Sequence, residues 1–351
     1  MMRATKPIKP IIFFFITFFA THISAQDRQL TQFFSSPLQL NPALTGNFDG
    51  KYRVGVNYRD QWRGILEQPY QTFSFGGDLR IEPFKTNFNK DRIGVGLLLN
   101  RDIVNGIDFS TTQIALSGAY HKSLNLNNTQ YLSVGFQAGL NQRNINYETL
   151  SLQDQWNGID GYTFPTQEKL PDNNFSYTDF SLGVNYSIAA DKNTAFFIGG
   201  AIHHFNKPNV SFYQLPAPPT PLFPRYSVHM ASQFPINREY TIFLSPRILL
   251  DLQGPHFTAN VGTDFKIQID KTYGTALHLG SWLRPVRNDG NYSIDAAVFM
   301  VGLEYNNVLF GASYDLNLPH LKTYKGVQNV FEISIIYLGD YENQELLCPT
   351  F

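Results

Sequence analysis

Eight histidines are the first side chains to weigh for chemistry in this chain. Imidazole is a common metal ligand and a general base near neutral pH. His203 and His204 are adjacent, and neighbouring side chains in a strand point to opposite faces, so that pair cannot close on one ion. His121, His229, His256 and His278 stand singly among strand-like residues, where an interior or interface role outweighs ligation. No metal constellation or cofactor motif emerges. The Gly-x-Ser-x-Gly turn of a serine hydrolase is absent. A Ser–His pairing assembled from separate strands would suit a lipid-cleaving enzyme, yet no spacing selects one. The chain reads as a non-enzyme.

Chemistry by binding has better candidates. Residues 144–175 carry Trp156, Tyr162 and Phe164 among Asp154, Asp160 and Asp172. Aromatic anchors in a polar setting suit a protein interface. The acids lack the spacing of an EF-hand calcium loop. Residues 205–224 contain Phe212 and Tyr213, followed by Pro216, Pro218, Pro219, Pro221 and Pro224. That stretch is extended and short of backbone donors, either as a stiff exposed arm or as a rigid cap on whatever lies beneath.

The elements that hold these loops are strands of one kind. In residues 130–142, Leu132, Val134, Phe136, Ala138 and Leu140 share one face, while Ser133, Gly135, Gln137, Gly139 and Asn141 share the other. Such runs are about as long as a tilted strand that crosses a bilayer. They recur near 51–59, 70–80, 91–101, 109–120, 130–143, 176–188, 193–204, 225–234, 239–250, 256–268, 272–282, 293–304, 307–316 and 327–338. The run at 293–304 is ambiguous, because Asp295 and Glu304 fall on opposite parities. A strand greasy on one face and small and polar on the other has lipid outside and a hydrated or filled lumen inside. Connections after the sixth, eighth, tenth and twelfth strands are short, and the two longest follow the fifth and seventh. That is the pattern of an even-stranded barrel with both termini periplasmic, although the turn at 82–90 is long for that side.

Composition excludes the main rivals. Charged residues are 16% of the chain against about 25% in soluble domains. A soluble sandwich or lipocalin-like barrel with this Gly- and Ser-rich exterior would be poorly soluble. Net charge is −1, so no basic surface argues for nucleic acid. The single cysteine, Cys348, forms no internal disulfide. Arg3, Lys6 and Lys9 precede an Ile- and Phe-rich run ending at Ile23-Ser24-Ala25, the layout of a secretory signal. The expected organisation is a signal peptide at 1–25, an N-terminal periplasmic segment at 26–50, an outer-membrane β-barrel of about fourteen antiparallel strands at 51–338, and a C-terminal tail at 339–351. The class is all-β, transmembrane, and in contact with outer-membrane lipid.

The stretch between signal and barrel holds the sharpest motifs. Gln32-Phe33-Phe34 is followed by Asn41-Pro42-Ala43-Leu44-Thr45-Gly46, then by Tyr58-Arg59-Asp60-Gln61-Trp62. This run resembles the PorP/SprF family, outer-membrane barrels of the type IX secretion system, and the Cys348-Pro349 ending is similar to it as well. The resemblance implies a cargo-specific accessory or surface anchor for a secreted adhesin-like protein, gliding adhesins included. The implied partners are a cargo with a C-terminal type IX signal domain, the translocon and the periplasmic ring components. Physically, Asn41-Pro42 favours a turn and Gly46 permits a positive φ, so the segment folds compactly as a small plug or as a lid on the periplasmic mouth. Arg59 and Trp62 would close the first strand at the outer interface, where Trp rings collect. Most of these residues read as strand-shaping. The alternative function is a passive porin, but inward positions are mostly neutral and Gly-rich, whereas selective pores carry charge clusters.

Overall fold

Apolar–polar alternation leaves each strand one face to give to lipid and one to the interior, and a sheet in lipid must close to satisfy its edges. The computed structural model describes residues 27–63, 69–83, 90–191, 193–213, 220–288, 291–318 and 329–339. The expected signal, most of the proline run and the tail with Cys348 lie outside these residues. Fourteen strands form one closed antiparallel barrel. They are β1 (Tyr52–Gln61), β2 (Tyr70–Ile81), β3 (Arg92–Val104), β4 (Phe109–Ser123), β5 (Gln130–Asn144), β6 (Asn174–Ala189), β7 (Ala195–His203), β8 (Arg225–Pro235), β9 (Ile242–Gln253), β10 (His256–Asp270), β11 (Thr275–Asn288), β12 (Asn291–Tyr305), β13 (Val308–Asn317) and β14 (Val330–Gly339). Each pairs with its sequence neighbour. β1 closes on β14 from Tyr52↔Gly339 to Gln61↔Val330.

The faces are inverted relative to a soluble protein. Leu116 is 64% exposed and Val134 54%, whereas their neighbours Ser117 and Ser133 are buried. The ambiguous strand is explained by a bulge. Arg284 pairs with Ala296 and Pro285 with Ile294, so Asp295 is the extra residue and the inward parity changes there. Asp295 and Glu304 thereby reach the lumen side from opposite parities: Asp295 lies 3.6 Å from Arg284, and Glu304 3.2 Å from His278.

Residues 27–50 fill the lumen. Of the plug and the lid that the sequence allows, the structure has the plug. The backbone N–H of Asp27 donates to Gln253 at 2.8 Å, at the end bearing the long loops. Twenty-odd residues later Arg80 donates to the carbonyl of Phe48 at 2.9 Å, at the opposite end. Three single helical turns (Phe33–Ser35, Pro37–Leu40 and Pro42–Leu44) carry the chain between them. Phe33, Phe34, Leu40 and Leu44 of the plug pack with Phe197, Ala231, Leu249, Trp282, Val298 and Met300 of the wall at the waist. Burying each large side chain contributes about 1.5–3 kcal/mol. Phe34 lies edge-on to Trp282 at 5.9 Å, with Arg247 4.1 Å above its face.

Close approach of plug and wall depends on missing side chains. A Cβ at Gly135 would stand 2.3 Å from the amide nitrogen of Ala43, and one at Gly183 would meet Asn41 Oδ1 at 1.8 Å. Gly135→Val is therefore expected to expel the 41–46 turn while the barrel still forms. Limited proteolysis should then cut within residues 41–48 of the variant and leave the parent protein intact there.

Candidate functional site

The Asn41–Gly46 turn is held by one strand after another. Asn41 Oδ1 accepts from the amide of Ala43 at 2.8 Å, and its Nδ2 donates to the carbonyls of Val184 on β6 and Gly200 on β7, at 3.0 and 3.2 Å. Pro42 and Ala43 lie against Gly135 of β5. The carbonyl of Thr45 accepts from His121 Nε2 on β4 at 2.8 Å, and Gly94 of β3 lies beneath it. Gly46, at φ +74°, donates its N–H to Asp78 of β2 at 2.7 Å. Arg53 of β1 pairs with Asp78 at 2.7 Å and donates to the Leu44 carbonyl at 3.2 Å. Six residues thus tie seven strands to one turn.

A second cluster straddles the β1–β14 seam. The amides of Thr31 and Gln32 both donate to the Glu332 carboxylate of β14 at 2.8 Å. Arg59 of β1 pairs with Glu332 at 3.2 Å, and Arg284 of β11 pairs with Asp315 of β13 at 2.8 Å. The Thr31 hydroxyl donates to Asp315 at 2.8 Å and accepts from Arg59 at 2.5 Å and Arg284 at 3.0 Å. Two cations and two carboxylates balance around it. Gln32 also donates to Ser313 and accepts from Ser334.

The third cluster lies at the long-loop end, which faces outward in barrels of this architecture. Asp27 contacts His204 at 2.6 Å and Arg225 at 3.6 Å, and His204 also contacts Asp179 at 2.8 Å. Arg28 reaches Asp102 at 2.5 Å. Burial pulls the His204 imidazole down, but Asp27 and Asp179 override it and hold it at about 9. Burial pushes Asp27 up, yet His204, Arg225 and Arg28 keep it well below the usual carboxylate range.

Comparison with known proteins then identifies the family. The sequence model described as Type IX secretion system membrane protein PorP/SprF matches residues 23–337. The chain belongs to the PorP/SprF family. No curated protein matches it by sequence. Among solved structures it is similar to the CymD monoaromatic hydrocarbon channel, at 10% identity, TM-score 0.51, with 88% of this chain and 94% of that one covered. The deltaS2 mutant of the TodX monoaromatic hydrocarbon channel gives 9%, 0.50, 86% and 93%. The Pseudomonas putida toluene transporter TodX gives 12%, 0.45, 86% and 92%. At these identities the likeness is one of fold. This PorP/SprF chain is an outer-membrane β-barrel of the type IX secretion system.

The candidate residues separate into two groups. Asn41, Pro42, Gly46 and Arg59 are plug anchors or their partners, buried in the lumen. Arg59 lies two residues before the end of β1, and its side chain turns inward to Glu332. Trp62, at φ 65°, leaves β1 and is 38% exposed. Trp156, Tyr162, Phe164 and Tyr213 are exposed on the long loops, while Phe212 is a loop anchor packed against Phe109 and Phe175. The lumen is not the mostly neutral surface expected, since Arg53, Asp78, Arg284, Asp315 and Glu332 all face inward as buried pairs. His203 and His204 also depart from the alternation rule. β7 ends at His203, the positive φ of His204 swings its ring back inward, and both are buried with centroids 6.4 Å apart. His121 and Ser133 meet across β4 and β5 at 2.7 Å. Because Nε2–H of His121 donates to Thr45, Nδ1 accepts from Ser133, but the plug seals the pair from any substrate.

Sequence reasoning missed Asp27, Arg28, Thr31, Arg284, Asp315 and Glu332, and weighed His204 only as a metal ligand. The one signal available was a charge on the small-residue face of a strand, as with Glu332 within Phe331–Tyr337.

Two outcomes follow for this barrel. Arg59→Ala leaves Glu332 and Asp315 short of a buried cation and should cost about 3–5 kcal/mol in urea unfolding from detergent, with Arg59→Ala/Glu332→Gln recovering part of it. The outward end of the plug should also respond to pH. The raised pKa of His204 stabilises docking fully below about 6.5 and is lost as pH rises through about 9, whereas the lowered pKa of Asp27 is lost as pH falls below about 4. A nitroxide at Gln29→Cys should therefore grow mobile above pH of about 9, and His204→Gln should abolish that alkaline step.

Proposed function

We propose that this barrel is a cargo-specific accessory or surface anchor for a secreted adhesin-like protein, working on its rim rather than through its lumen. The proposed partners are a cargo with a C-terminal type IX signal domain, the translocon and the periplasmic ring components. The observation that carries the reading is the plug packed against the wall at the waist together with an ordered aromatic knob at the long-loop end.

The knob is built by local chemistry. Trp156 and Tyr162 form an isolated antiparallel bridge and stack edge-to-face at 5.1 Å. Asn157 Oδ1 accepts from the amides of Ile159, Asp160 and Gly161, which fixes the tip. Asp154 holds Thr166 and the amide of Gln167. Ile159 at the tip is 85% exposed, beside half-exposed Trp156, Tyr162 and Phe164. Rigid aromatic side chains ordered before binding lose little entropy on contact, which is the usual make-up of an interface hot spot.

The other reading is a passive channel, in keeping with the hydrocarbon channels that share the fold. It needs a continuous lumen, and the Phe33–Phe34–Leu40–Leu44 cluster packed against the wall at the waist speaks against one. Replacing residues 153–167 by a Gly-Ser linker should lower surface retention of the cargo several-fold with barrel abundance unchanged. Unaltered retention, coupled with steady ion conductance of the parent barrel in planar bilayers, would leave the channel reading in its place.

A further inference from the structure

We propose that residues 340–351, which follow β14, dock as an acidic strap on a cleft at the periplasmic end of the lumen, independently of any cargo held by the loops. The cleft holds about 690 Å³, its open mouth included. Its walls are Gln233 of β8, Ser245 of β9, Lys266 of β10, His278 of β11, Glu304 of β12 and Leu309 of β13. Each of them lies within four residues of a short turn, which places the mouth on the periplasmic side. The Asn41–Gly46 turn grips β1 to β7 on the opposite side of the barrel. The plug is thus asymmetric, and the cleft is the half it does not reach.

The root of the strap stands at the lip of this cleft. Gly339 pairs with Tyr52, and its carbonyl accepts from the amide of Lys51 at 2.9 Å, so the chain leaves β14 from a fixed point. Ile336 and Leu338, just before that point, line the cleft. Cys348 follows Gly339 by nine residues, an extended reach of about 30 Å. A segment tethered this closely meets its site at an effective concentration on the order of mM, an advantage that a separate periplasmic protein lacks.

Composition matches on both sides. Residues 340–351 hold Asp340, Glu342 and Glu345 with not one Lys or Arg, and then the apolar pair Leu346 and Leu347. In the cleft, Lys266 Nζ meets Glu304 at 2.6 Å, and these two side chains stand at the mouth, 20% and 24% exposed. His278 lies between Asp264 at 3.0 Å and Glu304 at 3.2 Å. With a carboxylate at each ring nitrogen, both nitrogens carry protons and the imidazole is a cation. Arg53 is matched by Asp78. Three cations, Arg247, Lys266 and His278, then stand against two carboxylates, Asp264 and Glu304, and the excess positive charge favours an acidic segment. Leu309, Ile336 and Leu338 form one apolar side, against which the leucine pair can pack.

Cys348 is the one cysteine of the chain, so the protein carries its own probe. In the full barrel a polar maleimide should label Cys348 several-fold more slowly than in the Asp340→Lys/Glu342→Lys/Glu345→Lys variant. Single added cysteines then locate the strap. Under mild oxidation in isolated outer membranes, Ser245→Cys and Leu309→Cys should each form a disulfide with Cys348, a bond that needs Cα atoms within about 7 Å. Leu126→Cys, 72% exposed on a periplasmic turn outside the cleft, should not. Mass spectrometry of the linked peptides reads the bond, and heat-modifiable mobility reports whether each variant folds. The labelling comparison alters no cleft residue, so it decides the matter if neither cleft cysteine is tolerated. Equal labelling of parent and variant, or a Leu126→Cys bond as abundant as those in the cleft, would overturn the proposal. So would cleft cysteines linked to another protein, which would make a separate polypeptide the occupant.

Discussion

A carboxylate inside a membrane barrel has no bulk water to solvate it, and Glu332 is fully buried. Its stability rests on two plug amides and one arginine, donated by residues three hundred positions away in sequence or across the closing seam. Remove the plug and Glu332, Asp315, Arg59 and Arg284 become a buried cluster missing the hydroxyl and the amides that bind it together. Buried pairs of this kind add little net stability over an apolar core, but they are severe on incomplete structures. Without the plug the cluster therefore leaves buried charge uncompensated. The β1–β14 seam has its Glu332 carboxylate satisfied only with Thr31–Gln32 in place.

Threading imposes an order on the same events. The plug crosses the lumen from Gln253 at one end to Arg80 at the other, and its last residue leads directly into β1. Feeding it through a finished ring would drag Phe33, Phe34 and Leu40 past a wall that fits them closely. Laying strands around a seated turn avoids that step. The strand-by-strand grip on Asn41–Gly46, running from β7 and β6 down to β1, is the geometry such wrapping produces. It also gives the short motif a reason to be dense in special residues. Asn caps, Pro sets the turn, and Gly46 takes a positive φ.

What could be read from sequence divides along the range of the forces involved. Strand positions and the count of fourteen follow from alternation, a local property, and the structure has all of them. The parity conflict in β12 was visible in Asp295 and Glu304, but its resolution needed the bulge opposite Pro285, which depends on the neighbouring strand. Asn41, Pro42 and Gly46 announced a compact turn, while its place inside the lumen did not follow, because the glycines that admit it (Gly94, Gly135 and Gly183) look like ordinary barrel glycines. The interior charges were misjudged for a similar reason. The sequence places Arg59 at the outer interface and does not single out Glu332, and only closure of the ring brings them together. Partners far apart in the chain leave no periodic trace.

The arrangement at the outward rim bears on how a plugged barrel can serve secretion. The loop after β7 begins at His204, which grips Asp27 of the plug, while Arg143 at the base of the β5–β6 loop donates to the carbonyl of Val210 in that same loop. Phe212 is wedged between Phe109 and Phe175, tying the second loop to the roots of the first. The two long loops and the plug end thus share one platform of ion pairs and stacked rings. Under the proposed anchor role, a load on either loop would pass through this platform into the plug, and from the plug into seven strands through the Asn41–Gly46 turn. Isolated surface loops would transmit that load to a single hairpin, whose backbone ladder can peel one bond at a time. Spreading it over the ring makes the bonds yield together. The plug thus does more than fill the lumen: it links the rim of long loops to seven strands of the wall.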